Sequence, residues 1–279
     1  MKRTFSLEIF PPKRTAPIET IYRTLDGLRM LHPDFISVTY GAGGSQNAEH
    51  TLGIVHKVQN EYRIPAVAHL PGLHLTKAEV AKILEDFAKE GVRDILALRG
   101  DPVEGAPLPG DFPYATDLIR FIKLMGDFRV TAACYPETHP HATSEAADLR
   151  HLKEKVDAGA ERLITQLFFD NERFYRFRDI TEALGIEVPI EAGIMPVTNK
   201  KQIERMVSIC HVQLPKKFTR LLERFGDNPV AMRDAGIAYA VNQIVDLLIA
   251  GVSGVHLYTM NNPYVAQEIY NRVVTLIRS

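Results

Sequence analysis

The sequence predicts an α/β fold, a (β/α)8 TIM barrel occupying residues 1–279 as a single domain. Strand-like runs recur at Phe5 to Phe10, Phe35 to Tyr40, Ala66 to Leu70, Asp94 to Leu98, Arg129 to Cys134, Arg162 to Phe168, Ile190 to Ile194 and Gly254 to Tyr258. Between them lie segments with apolar residues at three-to-four spacing, such as Thr76 to Glu90 and Ser144 to Ala158, which is the helical period. Three helix ends repeat one pattern: "KEGVRDILAL", "DAGAERLITQ" and "IAGVSGVHLY" each place a Gly at the C-cap and pass into a strand. No composition break or low-complexity linker divides the chain, so repeated βα units favour one closed barrel over two domains.

The first strand, in "FSLEIFPPK", alternates its side chains and stops at Pro11-Pro12, because proline donates no ladder hydrogen bond. Glu8 thus sits near a strand's C-terminal end. The second strand runs into "YGAGGSQN", whose Gly41, Gly43 and Gly44 invite comparison with a dinucleotide fingerprint. Gln46 stands where that fingerprint needs its third glycine, so the segment reads as a tight turn feeding a helix capped at Ser45. Residues 200–250 are too long for one βα unit and are expected to hold two or three helices, broken at Pro215 and at Asp227-Asn228-Pro229.

Composition narrows the function. Hydrophobic residues make up 46% of the chain, enough for a full core, and the 24% that are charged balance to a net charge of -1. That balance offers no basic field to nucleic acid or an anionic membrane. No signal-peptide core and no run approaching the ~20 apolar residues of a membrane span is present. Cys134 and Cys210 lie far apart without CxxC spacing, which fits a reducing cytoplasm. A small-molecule partner is expected.

Barrels build their sites at the C-terminal strand ends. Those ends carry Glu8, Thr39 with Tyr40, His69, Arg99 with Asp101, Tyr135 with Glu137 and His139, Gln166, Thr198 with Asn199, and Tyr258 with Asn261. Glu8, a carboxyl among apolar neighbours at the barrel mouth, suits general-acid work. Each has a plainer alternative: Glu8 paired with a Lys or Arg, His69 a satisfied core histidine, the tyrosines wall residues with hydroxyls reaching water. "YPETHPH" looks like metal ligands, but Pro136 and Pro140 stiffen it and no second His/Cys cluster completes a zinc set. No metal is expected, and neither a G-x-S-x-G elbow nor a cysteine signature supports a nucleophile.

In order along the chain, "FSLEIFPPK", "ISVTYGAGG", "ALRGDP", "AACYPETHP", "KVDAGAERLITQLFFD", "AGIMPVTN" and "HLYTMNN" resemble the successive motifs of the methylenetetrahydrofolate reductase family, from residue 5 to about residue 262. The resemblance implies bound FAD and reduction of 5,10-methylenetetrahydrofolate to 5-methyltetrahydrofolate with electrons from NADH or NADPH, in a cytoplasmic homo-oligomer. It assigns Glu8 as general acid to the departing nitrogen and Asp101 as the carboxylate that stabilises the iminium cation beside flavin and folate. Gln166 matches a folate-contacting amide, and Leu222 and Tyr258 match further substrate positions. The implied flavin contacts are Thr39, Tyr40, His69, Leu98, Arg99, Gly100, Asp101, Tyr114, Ala115, Ala133, Tyr135, His139, Asp148, Lys155 and Ile164, with Arg99 and Lys155 as pyrophosphate partners.

The chain departs from the bacterial pattern at four places. His151 and Glu154 replace an amide and a basic residue on the flavin-binding helix, Leu222 an aromatic, and Asn262 a basic residue after "YTMN". The end at Ser279 implies the catalytic domain without the adenosylmethionine-binding regulatory domain of eukaryotic relatives. Two other classes remain as expectations to be separated by experiment. One is a pterin-dependent barrel methyltransferase without flavin, and the other a flavin-bearing subunit reduced by a protein electron donor.

Overall fold

The structure, a computed structural model, describes residues 3–12, 16–40, 45–102 and 110–279. Eight strands run parallel in sequence order and close on themselves: β1 (Thr4–Ile9), β2 (Phe35–Val38), β3 (Ala66–Pro71), β4 (Asp94–Leu98), β5 (Arg129–Cys134), β6 (Ala160–Thr165), β7 (Ile190–Ile194) and β8 (Gly254–Tyr258). The barrel expectation is borne out, and every expected strand is present. The sixth differs most, beginning and ending earlier than its apolar run suggests. Gln166 N still donates to Cys134 O, but Leu167 and Phe169 then leave the sheet for a separate apolar cluster.

Helices follow the strands: α1 (Glu19–Leu28), α2 (Ser45–His56), α3 (Lys77–Lys89), α4 (Ala115–Leu124), α5 (Glu145–Asp157) and α6 (Asn171–Ala183). The long 200–250 segment holds α7 (Lys200–Cys210), α8 (Lys216–Phe225) and α9 (Pro229–Ile249), and α10 (Pro263–Arg278) closes the ring. Its breaks fall at Pro215 and Asn228-Pro229, as expected. Side chains that accept from the first-turn amides explain the starts: Thr76 with Glu79 in a capping box, Ser144, Asp170, Asn199, Asn228 and Asn262. The glycines of the repeated helix ends stand one place past the C-cap, not on it; Gly91, Gly159 and Gly251 have φ of 76°, 116° and 78°. An L-side chain rarely adopts that conformation, so glycine there lets the chain turn from helix to strand. The turn glycines Gly41, Gly43 and Gly44 lie outside the described residues.

Parallel strands in a barrel are covered on both faces, and the period of two sorts their side chains. Phe5, Leu7 and Ile9 on β1, Ile36 and Val38 on β2, and Val255 and Leu257 on β8 join the large core under the helices. The alternate positions turn inward. Phe35, Val67, Leu96 and Ile164 form a small apolar plug there, and polar residues occupy much of the remainder. A third cluster of Leu167, Phe169, Met195, Val197, Ile203, Val212, Phe218 and Met232 seats α7 and α8 beside the mouth.

Gly193 on β7 is the tightest point of the inner wall that concerns the site. A Cβ there would lie 2.3 Å from Thr165 O and 2.7 Å from the Tyr258 hydroxyl. Gly193→Ala is expected to lower stability by about 1–3 kcal/mol through overpacking, read as a lower urea midpoint with unchanged slope. An unchanged midpoint would mean that the Thr165 carbonyl and Tyr258 both shift without cost.

Candidate active site

At the C-terminal ends of the strands lies a cavity of about 320 Å³. Of the sequence-predicted residues it gathers Glu8, Thr39, His69, Leu98, Arg99, Gly100, Asp101, Ala133, Tyr135, His139, Ile164, Gln166 and Tyr258, and it adds Leu96 and Thr165. Residues from β1, β2, β3, β4, β5, β6 and β8, or from the loops just after them, thus converge from positions scattered through the sequence.

Glu8 reaches the mouth from a pinned backbone, its carbonyl accepting from Thr259 Oγ1 at 2.7 Å. The side chain is 20% exposed, with His69 Nε2 3.6 Å and His256 Nε2 3.8 Å from its Oε2. Among the described residues no Lys or Arg lies within ion-pair reach of it, so the plain salt-bridge alternative fails there. His69 is 6% exposed and its Nε2 has no hydrogen-bond partner. Burial pulls its pKa down to about 4, against a smaller opposing pull from Glu8, so at neutral pH the ring is neutral.

The rest of the wall divides by chemistry. Asp101 presents an exposed carboxylate at the rim, and its backbone carbonyl lies 3.2 Å from His74 Nε2. Tyr258 donates to Thr165 O at 2.7 Å, and burial raises the pKa of its hydroxyl well above the usual value. Tyr135 is likewise raised by burial, and its ring meets His139 edge-on at 4.5 Å. Gln166 Oε1 accepts from Leu167 N at 2.9 Å.

Several predicted residues stand outside the cavity lining. Lys155 on α5 lies beneath it, Nζ donating to Ala133 O at 3.0 Å, and burial lowers its pKa. Asp148 accepts from His139 N at 2.8 Å and so holds the "THP" loop rather than facing the space. Tyr40 is half-buried, its pKa raised by burial and then by Glu79. Tyr114 is exposed at the N-cap of α4, with Ala115 behind it. Leu222 on α8 packs against the third cluster, which Tyr258 also borders. Asn199 and Asn262 are helix caps, Asn261 exchanges hydrogen bonds with the Phe10 backbone, and Glu137 accepts from Gln213 N at 2.9 Å. Among the described residues no three His, Cys, Asp or Glu side chains come close enough together to hold a metal ion, and no helix is long and apolar enough to cross a membrane.

The family model for methylenetetrahydrofolate reductase matches residues 1–274. The chain belongs to the methylenetetrahydrofolate reductase family. It is 38% identical over 266 residues to the 5,10-methylenetetrahydrofolate reductase of Pectobacterium carotovorum subsp. carotovorum, covering 95% of this chain and 88% of that one. Against the Escherichia coli K12 enzyme of the same name the identity is 37% over 264 residues, with the same coverage. A methylenetetrahydrofolate reductase (NADH) of Arabidopsis thaliana is 38% identical over 272 residues, 92% of this chain and 46% of the relative. Among solved structures, a Clostridium thermocellum protein that binds two copies of 5-methyl-5,6,7,8-tetrahydrofolic acid superposes with a TM-score of 0.68 at 14% identity, covering 99% of this chain and 94% of that one. That likeness speaks for the fold. The sequence resemblance to the reductase family is thereby borne out, and with it an oxidoreductase of folate one-carbon chemistry.

The family motifs did not single out the polar residues deeper in the barrel. Ser6, Ser37, Glu191 and His256 are all buried and polar. Their signal was phase: Ser6 is two before Glu8, and His256 two before Tyr258, so each pair shares the inner face.

His69 carries a pH dependence. Unfolded, its ring titrates near 6.5, and folded at about 4, so in that window the unfolded chain binds a proton that the folded one refuses. Stability is expected to fall, on the order of 3 kcal/mol, as pH drops from ~6.5 to ~4. His69→Gln should flatten that part of the urea-midpoint profile. An equally steep profile in the variant would assign the dependence elsewhere.

Proposed function

We propose that the protein reduces 5,10-methylenetetrahydrofolate to 5-methyltetrahydrofolate with NADH or NADPH by a ping-pong route using FAD, residues 1–279 forming one catalytic barrel. The observation that carries the reading is Glu8, a carboxyl at the barrel mouth flanked by two imidazoles with no cationic partner among the described residues. Homo-oligomeric assembly in the cytoplasm belongs to the same reading and rests on the likeness to the bacterial reductases.

The residues fit FAD by the chemistry of their donors. Arg99 Nε donates to the carbonyl of Gly100, and Lys155 to that of Ala133; neither cation has a carboxylate ion-pair partner among the described residues. Arg99 in the cavity wall, with Lys155 behind Ala133, offers positive charge that suits a pyrophosphate. Thr39, Tyr135 and His139 add polar groups around an apolar floor of Leu98, Ala133 and Ile164. When bound, FAD would accept a hydride from the nicotinamide and pass it to the folate, so that both substrates use one site in turn.

The chain's own residues handle charge and protons. Opening the one-carbon bridge of the substrate breaks a C–N bond, whose electron pair goes to the departing nitrogen and leaves a cationic iminium. Glu8 supplies the proton that this nitrogen takes up. The Asp101 carboxylate at the rim offsets the iminium charge. Gln166 offers the donor and acceptor that a pterin edge requires. Leu222, beside the third cluster, gives an apolar contact where an aromatic ring would stack.

The test is the visible spectrum of the purified, FAD-loaded protein under anaerobic conditions, through addition of NADH or NADPH and then methylenetetrahydrofolate. Bleaching by the nicotinamide and recovery with the folate are expected. Flavin left oxidised by both nicotinamides would point to a protein donor, and failure to take up FAD at all would overturn the reading. Glu8→Gln is expected to keep bleaching by the nicotinamide and slow reoxidation by the folate at least ~100-fold, the scale of a lost general acid. Lys155→Met should weaken FAD retention, measured by equilibrium dialysis, by ~10-fold or more, as loss of a buried charge-assisted contact would.

A further inference from the structure

Behind Glu8 a line of buried polar side chains crosses the barrel interior. His256, fully buried on β8, has Nδ1 2.7 Å from Ser6 Oγ. Its Nε2 lies 3.3 Å from Ser37 Oγ and 3.8 Å from Glu8 Oε2. Ser6 Oγ is in turn 2.8 Å from Glu191 Oε2, with the Val255 carbonyl a longer alternative acceptor at 3.4 Å. Glu191 Oε1 faces Arg162 Nε at 3.3 Å, and the Arg162 guanidinium rests 4.7 Å over the Phe35 ring.

The hydrogens along this line are countable. Glu191, paired with the Arg162 cation, is a carboxylate and can only accept. The single Ser6 hydroxyl hydrogen therefore goes to Glu191, the shorter contact. Ser6 then meets His256 with a lone pair, which requires the hydrogen to sit on Nδ1. In the neutral ring that leaves the single lone pair of Nε2 as the acceptor, within reach of the Ser37 hydroxyl at 3.3 Å and of Glu8 at 3.8 Å, and it serves Glu8 when the Ser37 hydrogen turns aside. An acceptor facing a carboxyl favours its acid form, whereas an N–H would favour the carboxylate. Closing the remaining ~1 Å gives a hydrogen bond from the acid.

We propose that Glu191, acting through Ser6, fixes the tautomer of His256 so that its Nε2 keeps Glu8 in the proton-bearing form needed for folate reduction. Ser6, Glu191 and His256 are positioning residues in this arrangement. The inference rests on the assignment of Glu8 as general acid. The other titratable groups facing this pair are His69 on β3, 3.6 Å from Glu8, and Tyr258 on β8, its ring 5.4 Å from that of His256. His69 is neutral near neutral pH, and the raised Tyr258 hydroxyl is bonded to Thr165, so neither supplies a competing charge. A merely structural polar line would affect folding and both half-reactions alike. A tautomer lock acts on the folate half-reaction and on its pH profile.

The experiment follows the two half-reactions of the FAD-loaded protein by stopped flow over about pH 6 to 9 for the wild type, Ser6→Ala, Glu191→Gln and Glu8→Gln. Ser6→Ala frees the ring to carry its hydrogen on Nε2. In Glu191→Gln the new amide can donate to Ser6, turning the hydroxyl hydrogen toward Nδ1. Both are expected to move the alkaline fall of folate reduction to lower pH by ~1 unit, hence ~10-fold slower turnover above it, with flavin reduction by the nicotinamide within about twofold of wild type. An unmoved profile in folded variants, or equal slowing of both half-reactions, overturns the proposal. If Glu8→Gln abolishes folate reduction while the other two leave the profile in place, this inference alone falls. If Glu8→Gln reduces the folate normally, the acid assignment falls with it. Nitrogen-15 NMR of the histidines in the wild-type protein tests the same point without a variant: His256 is expected as the Nδ1–H tautomer, and the Nε2–H form overturns the proposal.

Discussion

Closure of the parallel sheet is the constraint from which the rest of this molecule follows. Because side chains alternate along each strand, closing the ring commits every second residue to a narrow interior with little water. On β1 that divides Phe5, Leu7 and Ile9, which pack under the helices, from Ser6 and Glu8, which do not. Register then chooses their company. Ser6 pairs with His256 and Glu8 with Tyr258 across the β1–β8 seam, while Glu8 pairs with Ser37 on the other side. A slip of one residue would drive Leu7 into the cavity and Glu8 into the apolar layer, at a cost that no surface adjustment could recover.

The interior is also where the electrostatics are decided. Few groups there compensate charge, so burial dominates: it pulls the His69 imidazole and the Lys155 ammonium down and pushes the Tyr135 and Tyr258 hydroxyls up. Each shift favours the neutral form. Against this background the buried Glu191 is an exception, its carboxylate paired with the half-buried Arg162 through one oxygen and bound by Ser6 through the other. A paired buried charge of this kind contributes little to net stability and much to fixing the direction of the hydrogen bonds around it.

Much of the barrel was legible because local signals and global closure agree. The eight apolar runs, the helical segments that begin at Thr76 and Ser144, and the breaks at Pro215 and Asn228-Pro229 all depend on short-range chemistry. The sixth strand was misplaced because "LITQLFF" carries apolar residues on both sides of Thr165 and Gln166, and such a run does not say where one cluster hands over to another. In the site, Glu8, Asp101 and the "LRG" segment were legible from strand ends and family motifs together. Glu191 and Arg162 were not. In the sequence they resemble ordinary surface charges, and only the closed ring brings them 3.3 Å apart inside the barrel. Leu222 shows the opposite limit, since its neighbours come from α7, α9 and the residues after β6, which no local pattern announces.

Polar residues at the mouth of a barrel belong to two populations that composition cannot separate. Both lie just after the strands, because the strands' C-terminal ends and the following helices' N-termini share that face. Asn199, Asn261 and Asn262 looked like site residues for this reason, yet two of them start helices and one ties β8 to the chain after β1. What separates the populations is phase. Glu8, His69 and Tyr258 occupy the inward beat of their strands, whereas Thr76, Asn199 and Asn262 stand immediately before a helix and spend their side-chain oxygens on its first amides. Asn262 shows the distinction, since its side chain supplies the Val265 amide with an acceptor at 3.2 Å, so a position that reads as a ligand contact is where α10 begins. Substitutions at such positions therefore act through the loop that carries the site, and those at the inward beat act on the site itself.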